Sequence, residues 1–194
     1  MTKQSLPVSN NFCPQTLFLY GTYRDDGTPN FGLFCWFSYC WDGGLGAMAC
    51  IGGEKLTKDR IRATGVFSAN LVTEGMLPLA DYLGSKPGYD PDKMKIAVST
   101  SRGQVLNVPI LTASPWSFEL EVRHTLPLDG SDVFLCDIRN VLADSALADD
   151  SRTIAERLAD IAPVRTTCTT YFSYFGEALG GWGEPQAAVT LPHS

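Results

Sequence analysis

The chain lacks the groupings of cysteine and histidine that bind metal ions. Its six cysteines stand at positions 13, 35, 40, 50, 136 and 168, with no C-x-x-C pair among them. The two histidines, His124 and His193, are far in sequence from any pair of cysteines. A structural zinc ion needs four such ligands at short spacings, so no metal site is predicted. Cysteines 35, 50, 136 and 168 lie in apolar or strand-like runs, which predicts small buried thiols.

Long hydrophobic runs and an excess of basic charge are also missing. The most apolar run, residues 31–40, is too short to cross a bilayer as a helix. Residues 1–7 lack the apolar core of a secretory signal, so we expect a soluble, cytoplasmic protein without membrane contacts or disulfides. The net charge of −6 repels phosphate backbones, so nucleic acid is not an expected partner.

The patterns of acid–base and nucleophilic catalysis are absent as well. The chain has no G-x-S-x-G motif, and no cysteine stands beside a histidine. The acidic pairs Asp25-Asp26 and Asp149-Asp150 fall in a predicted turn and at a predicted helix start, where carboxylates have structural roles. We therefore predict no catalytic residue.

What the chain does contain indicates one strand-rich domain. Its 194 residues suit a single core, and its 18 glycines and 12 prolines fit a fold with many turns. The predicted strands follow one another without the regular helix alternation of a doubly wound parallel sheet. We predict a single domain over residues 1–194, a mainly β, antiparallel barrel with a few short peripheral α-helices and a loose C-terminal tail.

The local patterns predict the individual elements. Strands are expected at residues 15–23, 31–40, 47–51, 66–72, 118–124, 132–142 and 169–175, and helices at 57–64, 73–83 and 151–161. Asp26-Gly27 predicts the first hairpin turn. The strand at 31–40 is apolar at nearly every position, which predicts cover on both faces, whereas 118–124 alternates and is expected to be half exposed.

The helix ends and one break are also predicted. Thr57 is expected to cap the first helix, and Asp150 or Ser151 the third. Pro78 predicts a break or a kinked start in the second helix, because proline removes a backbone donor and clashes with the preceding turn.

Residues 44–49 match the dinucleotide fingerprint G-x-G-x-x-A, but their context argues against that function. A true fingerprint ends a buried strand and opens a helix. Here Trp41-Asp-Gly precedes the motif, and Gly52-Gly53 follows it in place of a helix. We therefore interpret residues 41–46 as a glycine-rich loop.

Residues 52–57, with the sequence Gly-Gly-Glu-Lys-Leu-Thr, do lie between a predicted strand and a predicted helix. Backbone N–H groups at a helix start, with Lys55 and the Thr57 hydroxyl, could hold a phosphate. Two glycines would let the backbone approach a ligand closely. An ordinary strand–helix loop explains the same residues, and from composition alone it is the better supported of the two.

Aromatic side chains concentrate in two segments. Six stand between Phe31 and Trp41, where core packing explains most of them and a planar apolar cofactor would use the same wall. The second cluster, at positions 171, 172, 174, 175 and 182, is explained at least as well by a dimer interface or a core strand as by a cofactor wall.

The order of these motifs resembles one family, the flavin reductase-like FMN-binding split barrels, in its flavoredoxin-like branch. Residues 26–30 (Asp-Gly-Thr-Pro-Asn) and the aromatic strand after them are similar to the family's D-G-x-x-N hairpin. Thr57, Ile61 and the segment 65–70, which reads G-x-F-x-x-N, follow in the family's order. Asp92-Lys93 matches a later Asp-Lys pair. The resemblance covers residues 14–183.

This resemblance implies a split barrel that binds FMN, forms a homodimer and takes its electrons from NADH or NADPH. The electrons would pass to free flavin, an acceptor protein or a small acceptor, and the flavin would carry the chemistry. The cofactor-binding residues implied by position are Asn30, Cys35, Trp36, Phe37, Gly52, Gly53, Lys55, Thr57, Asn70 and Lys93. Cys35, Trp36 and Phe37 would lie along the flavin ring. The residues that would face the phosphate are Gly52, Gly53, Lys55 and Thr57.

Two other functions stay open at this point. One is an FMN electron carrier of the flavoredoxin type with little NAD(P)H oxidase activity, which only a partner protein would reduce. The other is a dimeric barrel that has lost its cofactor and serves as a binding module.

Overall fold

The computed structural model describes residues 3–174 of the chain. The strands are β1 Gln15–Thr16, β2 Phe18–Tyr23, β3 Pro29–Phe34, β4 Phe37–Trp41, β5 Leu45–Gly52, β6 Val66–Leu71, β7 Thr100–Arg102, β8 Pro109–Leu111, β9 Trp116–Leu128, β10 Ser131–Ala143, β11 Arg165–Thr166 and β12 Tyr171–Phe172. The α-helices are α1 Leu56–Thr64, α2 Leu77–Ser85 and α3 Ile154–Ile161. Short 3₁₀ turns lie at Glu74–Met76, Lys93–Lys95 and Ser145–Leu147.

Seven strands form the main sheet in the order β3-β2-β6-β9-β10-β5-β4, and every neighbouring pair is antiparallel. This confirms the predicted mainly β, antiparallel fold with few helices. The consecutive strands β3 and β4 stand at opposite ends of the order, yet only two residues join them. Because a link of two residues lets the ends of β3 and β4 lie at most about 11 Å apart, the sheet must curl until its edges approach, which makes it a split barrel.

The single strand predicted over residues 31–40 is wrong. The chain breaks at Cys35 and Trp36, and the two halves join opposite edges of the sheet. Inside the barrel, the Phe37 ring lies 4.6 Å from the ring of Phe18 on β2, so the apolar run supplies core residues to both edges. The expectation of cover on both faces is also wrong for β4, whose residues are only half buried or exposed.

The first hairpin forms where Asp26-Gly27 predicts it. The Asp26 carboxylate accepts hydrogen bonds from the Thr28 amide at 2.9 Å and the Thr28 hydroxyl at 2.6 Å. The Arg24 amide closes the turn on the Thr28 carbonyl. The hairpin register then sets Asn30 opposite Thr22, and both side chains are buried.

The predicted helices form, with corrected ends. α1 begins one residue before Thr57, and its N-cap is Lys55, with no side-chain cap, so the predicted Thr57 cap is wrong. Pro78 does mark a break, because a 3₁₀ turn precedes α2 and the proline stands in the first turn of that helix. α3 is capped by Thr153 in a capping box with Glu156, and not by Asp150 or Ser151.

Several strands differ from their predicted bounds. β6 agrees with its prediction to one residue, whereas β9 extends well beyond residues 118–124. β5 begins at Leu45, so the supposed loop at 41–46 is a turn of only three residues. At the C-terminal end only Tyr171–Phe172 forms a strand within the predicted 169–175, and Phe175 and the later residues lie outside the described part of the chain.

Two apolar clusters fill the molecule. One lies inside the barrel around Tyr20, Phe67, Leu120 and Phe134. The other lies between β2, β3 and α2, around Leu19, Phe31 and Leu83. The prediction of buried thiols holds for Cys136 but is wrong for Cys168, which is exposed, while Cys35 and Cys50 are half buried.

Two absences hold within residues 3–174. No cluster of His, Cys, Asp and Glu there is arranged to bind a metal ion. None of the helices in the same span is long and apolar enough to cross a membrane.

Candidate functional site

A cleft of about 220 Å³ opens between three segments that are distant in sequence. Its walls are the end of β3, the start of α1, and the loop that follows α2 with Lys93. The lining residues are Gly32, Leu33, Phe34, Glu54, Lys55, Leu56, Thr57, Leu83, Gly84, Ser85, Lys86, Pro87, Gly88, Tyr89 and Lys93. Three of the ten predicted site residues, Lys55, Thr57 and Lys93, therefore come together in one cleft.

Asn30 lies at the base of this region and joins β3 to α1. Its amide donates to the Thr57 hydroxyl at 3.0 Å and to the Thr22 hydroxyl at 3.4 Å. The close approach of β3 to α1 depends on Gly32, because a Cβ there would stand 2.9 Å from the Thr57 hydroxyl and 2.7 Å from the Phe34 ring. The contact between Asn30 and Thr57 therefore fixes the helix start relative to the barrel.

The carbonyl oxygen of the Asn30 side chain has no hydrogen-bond partner within residues 3–174, although the residue is 0% exposed. It stands 3.3 Å from the point that a Cβ at Gly88 would occupy, and Gly88 lines the cleft. A buried acceptor without a partner costs about 1–3 kcal/mol. A ligand donor at this point would remove that cost.

Lys93 brings a buried positive charge to the cleft. Its residue is 2% exposed, and none of the ion pairs in the described chain includes it. Burial, together with the neighbouring positive charges of Arg24 and Lys55, lowers its pKa from 10.5 to about 8. A lone cation in this setting favours binding of an anion.

The start of α1 strengthens this positive field. Lys55 is exposed at the N-cap of α1. No side chain of the described chain caps the first amides of this helix, and the helix start lines the cleft. Lys86 adds a further cation to the lining. The single lining acid, Glu54, lies 3.9 Å from Lys58, which offsets its charge. Free amides at a helix start and lysine side chains are the groups that favour anions in proteins.

Arg24 holds the far wall in place. It donates to the Gly88 carbonyl at 3.0 Å, while its Nε is buried and has no partner in residues 3–174. Gly88 also packs tightly, since a Cβ there would stand 2.6 Å from Cβ of Leu56. The loop after α2 is thus tied both to the first hairpin and to α1.

Cys35 and Trp36 form the link between β3 and β4, directly after Phe34 of the cleft lining, and Phe37 is the first residue of β4. Trp36 is 50% exposed and packs beside Gly52, and its carbonyl accepts from the Cys50 amide at 2.9 Å. The Phe37 side chain turns into the barrel, toward an apolar groove near α3. Neither Cys35 nor Trp36 lines the cleft, although both directly follow Phe34, which does, and the ring of Phe37 points into the barrel.

The remaining predicted residues stand apart from the cleft. Gly52 and Gly53 do not line it, and the Gly53 amide donates to the Gly130 carbonyl at 2.8 Å. Asn70 is buried on β6, where its amide donates to the Leu19 carbonyl and the Ser68 hydroxyl. We leave Gly52, Gly53 and Asn70 out of the proposed site because their polar groups bond elsewhere or face elsewhere.

Sequence reasoning missed Arg24, Lys86 and Gly88. Residues 24–28 predict a turn, and residues 85–92 predict a polar loop with two prolines, but neither pattern predicts that the two segments meet. A lysine next to Pro-Gly, close in sequence to Lys93, is the one local sign of a second basic contributor.

Known structures resemble this chain over nearly its full length. Flavoredoxin of Desulfovibrio vulgaris (Miyazaki F) aligns with a TM-score of 0.82 at 24% identity, covering 94% of this chain and 98% of that one. Flavoredoxin from Methanosarcina acetivorans aligns with a TM-score of 0.82 at 19% identity, covering 95% and 98%. An FMN-binding protein from Thermus thermophilus, with bound p-hydroxybenzaldehyde, aligns with a TM-score of 0.75 at 20% identity, covering 93% and 98%.

At these identities the likeness establishes the fold. A search of curated proteins finds no match to the chain. The family described as "Flavin reductase like domain" matches residues 10–160, which include the whole cleft and all but the C-terminal strands. The chain therefore belongs to the flavin reductase-like domain family.

Proposed function

We propose that this protein is an FMN-binding oxidoreductase that accepts hydride from NADH or NADPH and acts as a homodimer. Family membership supports flavin chemistry in general, and the Thermus thermophilus relative is by its title an FMN-binding protein. The choice of FMN rests on this chain's own cleft.

The observation that carries the proposal is the buried, unpaired Lys93 beside an uncapped helix start. A phosphate monoester carries a charge of −1.5 to −2 and three acceptor oxygens at neutral pH. Lys93, Lys55, Lys86 and the first amides of α1 supply donors and positive charge at one place. These residues fit the phosphate end of FMN, and the free Asn30 oxygen fits a hydroxyl or N–H donor next to it.

The flat ring of the cofactor would extend past the cleft. Small-molecule pockets commonly measure about 300–1,000 Å³, and this cleft of 220 Å³ suits only the polar end of a flavin nucleotide. The ring would then lie against the link at Cys35 and Trp36, where half of the Trp36 surface is exposed. A second subunit covering that face would exclude water from the ring, which is the basis for proposing a homodimer.

When bound, the flavin supplies hydride and electron transfer, and the protein binds and orients it. Asn30 and Thr57 hold β3 and α1 together under the cofactor. Among residues 3–174, the lining includes no histidine and no cysteine, and its one carboxylate lies near Lys58. This residue set suits cofactor chemistry and offers little for acid–base hydrolysis.

One observation favours a second candidate, an FMN electron carrier with little NAD(P)H oxidase activity. Two of the three structures named above are flavoredoxins, and the alignments cover 98% of each. Such a carrier would hold FMN tightly and receive electrons from a partner protein.

Spectra and kinetics of the purified protein test these functions. We expect a bound flavin in the visible absorbance spectrum, and oxidation of NADH or NADPH in steady state with FMN, FAD or riboflavin as acceptor. A yellow protein that oxidises neither nucleotide supports the electron carrier. A colourless protein that also fails to take up added FMN contradicts both functions and supports a cofactor-free binding module. Size-exclusion chromatography with light scattering tests the homodimer, and a monomer contradicts it.

A further inference from the structure

Two thiols far apart in sequence meet beside the proposed ring-binding wall. Sγ of Cys35 lies 3.3 Å from Sγ of Cys168, although 133 positions separate the two residues. Cys35 belongs to the link between β3 and β4, and Cys168 to the turn between β11 and β12. The other four cysteines are also free thiols.

The backbone of Cys168 is held in a conformation that cysteine rarely adopts. Its φ is 70°, in the left-handed region where glycine or asparagine avoids the steric cost. Hydrogen bonds around the turn stabilise this geometry, since the Cys168 amide donates to the Thr166 hydroxyl at 3.0 Å and that hydroxyl donates to the Thr170 carbonyl at 2.9 Å. Glycine would adopt this backbone conformation at lower cost, so the presence of cysteine indicates a functional role for its sulfur.

The turn that carries Cys168 is also anchored on the protein. The Tyr171 hydroxyl donates to the Asp81 carboxylate of α2 at 2.6 Å, and β11 pairs with both β1 and β12. The Cys168 turn is therefore held by α2 and by the small sheet of β1, β11 and β12, and this places its sulfur beside Cys35 in the link after β3. A disulfide has an S–S distance of about 2.05 Å, so the sulfurs need to approach by only about 1.2 Å.

We propose that Cys35 and Cys168 form a reversible disulfide, a redox-modification site that ties the C-terminal hairpin to the link between β3 and β4. A low-molecular-weight disulfide such as oxidised glutathione is the oxidant. This inference does not depend on flavin binding or on NAD(P)H oxidation.

The two thiols have different roles in the exchange. Cys168 is exposed, whereas Cys35 is half buried. Burial, together with the neighbouring Cys168 sulfur, raises the pKa of the Cys35 thiol to about 12. Because the thiolate is the nucleophile, Cys168 meets the oxidant first and Cys35 completes the bond.

The exchange balances over two steps. The Cys168 thiolate attacks one sulfur of oxidised glutathione, which forms a mixed disulfide and releases one glutathione thiolate. Cys35 then loses its proton and attacks the Cys168 sulfur, which forms the internal disulfide and releases the second glutathione. Two protein thiols are oxidised, and one glutathione disulfide is reduced to two thiols.

The test treats the reduced full-length chain with oxidised glutathione, blocks free thiols, and maps the cysteines by mass spectrometry without reduction. We expect one peptide pair linked through Cys35 and Cys168, two hydrogens lighter than the reduced pair, and its loss on adding dithiothreitol. Cys35→Ser should leave glutathione attached to Cys168, because no second thiol displaces it. Cys168→Ser should leave Cys35 reduced.

Cys13→Ser provides the matched control, because Cys13 is another exposed thiol far from the pair in sequence. This variant should form the same Cys35–Cys168 link as the wild type, and circular dichroism checks that all variants fold. The proposal is overturned if wild-type Cys168 keeps its glutathione as the Cys35→Ser variant does. It is equally overturned if Cys13 is modified while Cys35 and Cys168 stay reduced.

Discussion

Asn30 and Asn70 are both completely buried, yet they stand in opposite chemical situations. All the hydrogen-bonding groups of Asn70 are used, since its oxygen accepts from the Leu111 amide and the Ser117 hydroxyl, both at 2.9 Å, and its amide makes two further bonds. The oxygen of Asn30 has no partner in the described chain. All the polar groups of Asn70 therefore serve the fold, whereas the oxygen of Asn30 is free to accept a hydrogen bond from the proposed ligand.

The buried charges repeat this contrast. Glu119 is 0% exposed, and its carboxylate accepts from the amides of residues 104–106 and from the side chain of Asn140. Lys93 is 2% exposed and lacks any such arrangement within residues 3–174. Since most buried polar groups in proteins are paired, the unpaired ones near the cleft support the proposed binding site.

The largest effect is expected from Glu119→Ala. This change leaves three backbone amides and the Asn140 amide without their acceptor, so the free energy of unfolding should fall by about 3 kcal/mol or more. Urea unfolding measures the loss. Glu121→Ala on the same strand is the control, and because its pair with Arg139 is half exposed, that loss should stay below about 1 kcal/mol. If both variants lost the same free energy of unfolding, the buried, hydrogen-bonded carboxylate of Glu119 would matter no more to stability than the exposed one of Glu121.

Lys93→Met should separate binding from stability. We expect FMN affinity to fall about 10- to 100-fold, the equivalent of one charge-assisted hydrogen bond, while riboflavin affinity stays nearly unchanged. The free energy of unfolding of the cofactor-free protein should not fall, because a buried, unpaired charge is removed. Fluorescence titration and urea unfolding measure the two effects.

Lys95→Met is the matched control for this variant. Lys95 is exposed in the same 3₁₀ turn and pairs with Asp92 at 2.5 Å, so its loss should change neither affinity nor stability appreciably. A Lys93→Met variant that weakens FMN and riboflavin equally would place the phosphate elsewhere. A marked loss of stability would make Lys93 a structural residue.

Local signals predicted the parts of the fold that depend on neighbours in sequence. The Asp26-Gly27 turn, β6 and the break before α2 follow from turn chemistry, strand patterning and the fixed backbone of Pro78. The break at Cys35 and Trp36 has no such signal, because it arises when two sheet edges meet. The burial of Glu119 was likewise not predictable, because residues 104–106 cover a position that the alternating pattern assigns to solvent.

The candidate site shows the same limit. Lys55, Thr57 and Lys93 could be named because the order of motifs resembles a family. The roles of Arg24 and Lys86 depend on a contact between two segments about 60 residues apart, which no local pattern carries. Gly52 and Gly53 have the composition of a phosphate loop, but the Gly53 amide already donates a hydrogen bond to the Gly130 carbonyl in the β9–β10 turn.

The pH dependence of FMN affinity provides a smaller test. The pKa of Lys93 is lowered to about 8 by burial and by Arg24 and Lys55, so the lysine carries its charge below this pH and loses it above. FMN affinity should therefore fall as the pH rises through about 8, by up to about tenfold per unit. Titrations between about pH 7 and pH 9 should show this fall for FMN, but not for riboflavin and not in Lys93→Met.

The same lowered pKa has the opposite effect on the stability of the cofactor-free protein. An unfolded lysine keeps its proton up to about pH 10.4, so between about pH 8 and that value the unfolded chain binds more protons than the folded one. The contribution of Lys93 to the free energy of unfolding therefore rises with pH over this range. The assignment of the lowered pKa to Lys93 would be contradicted if, over this pH range, the free energy of unfolding fell and FMN affinity rose while neither changed in the Lys93→Met variant.

The smallest effect is expected from Lys55→Ala. Lys55 is exposed, so water and salt screen its charge, and FMN affinity should fall only a few-fold. This fall should shrink as salt is added, whereas the larger effect of Lys93→Met should persist because burial shields Lys93 from ions. FMN titrations of both variants at low and high salt measure this. If added salt reduces the loss of FMN affinity equally in both variants, the phosphate binds at the exposed rim of the cleft. The buried Lys93 side chain then does not bind it.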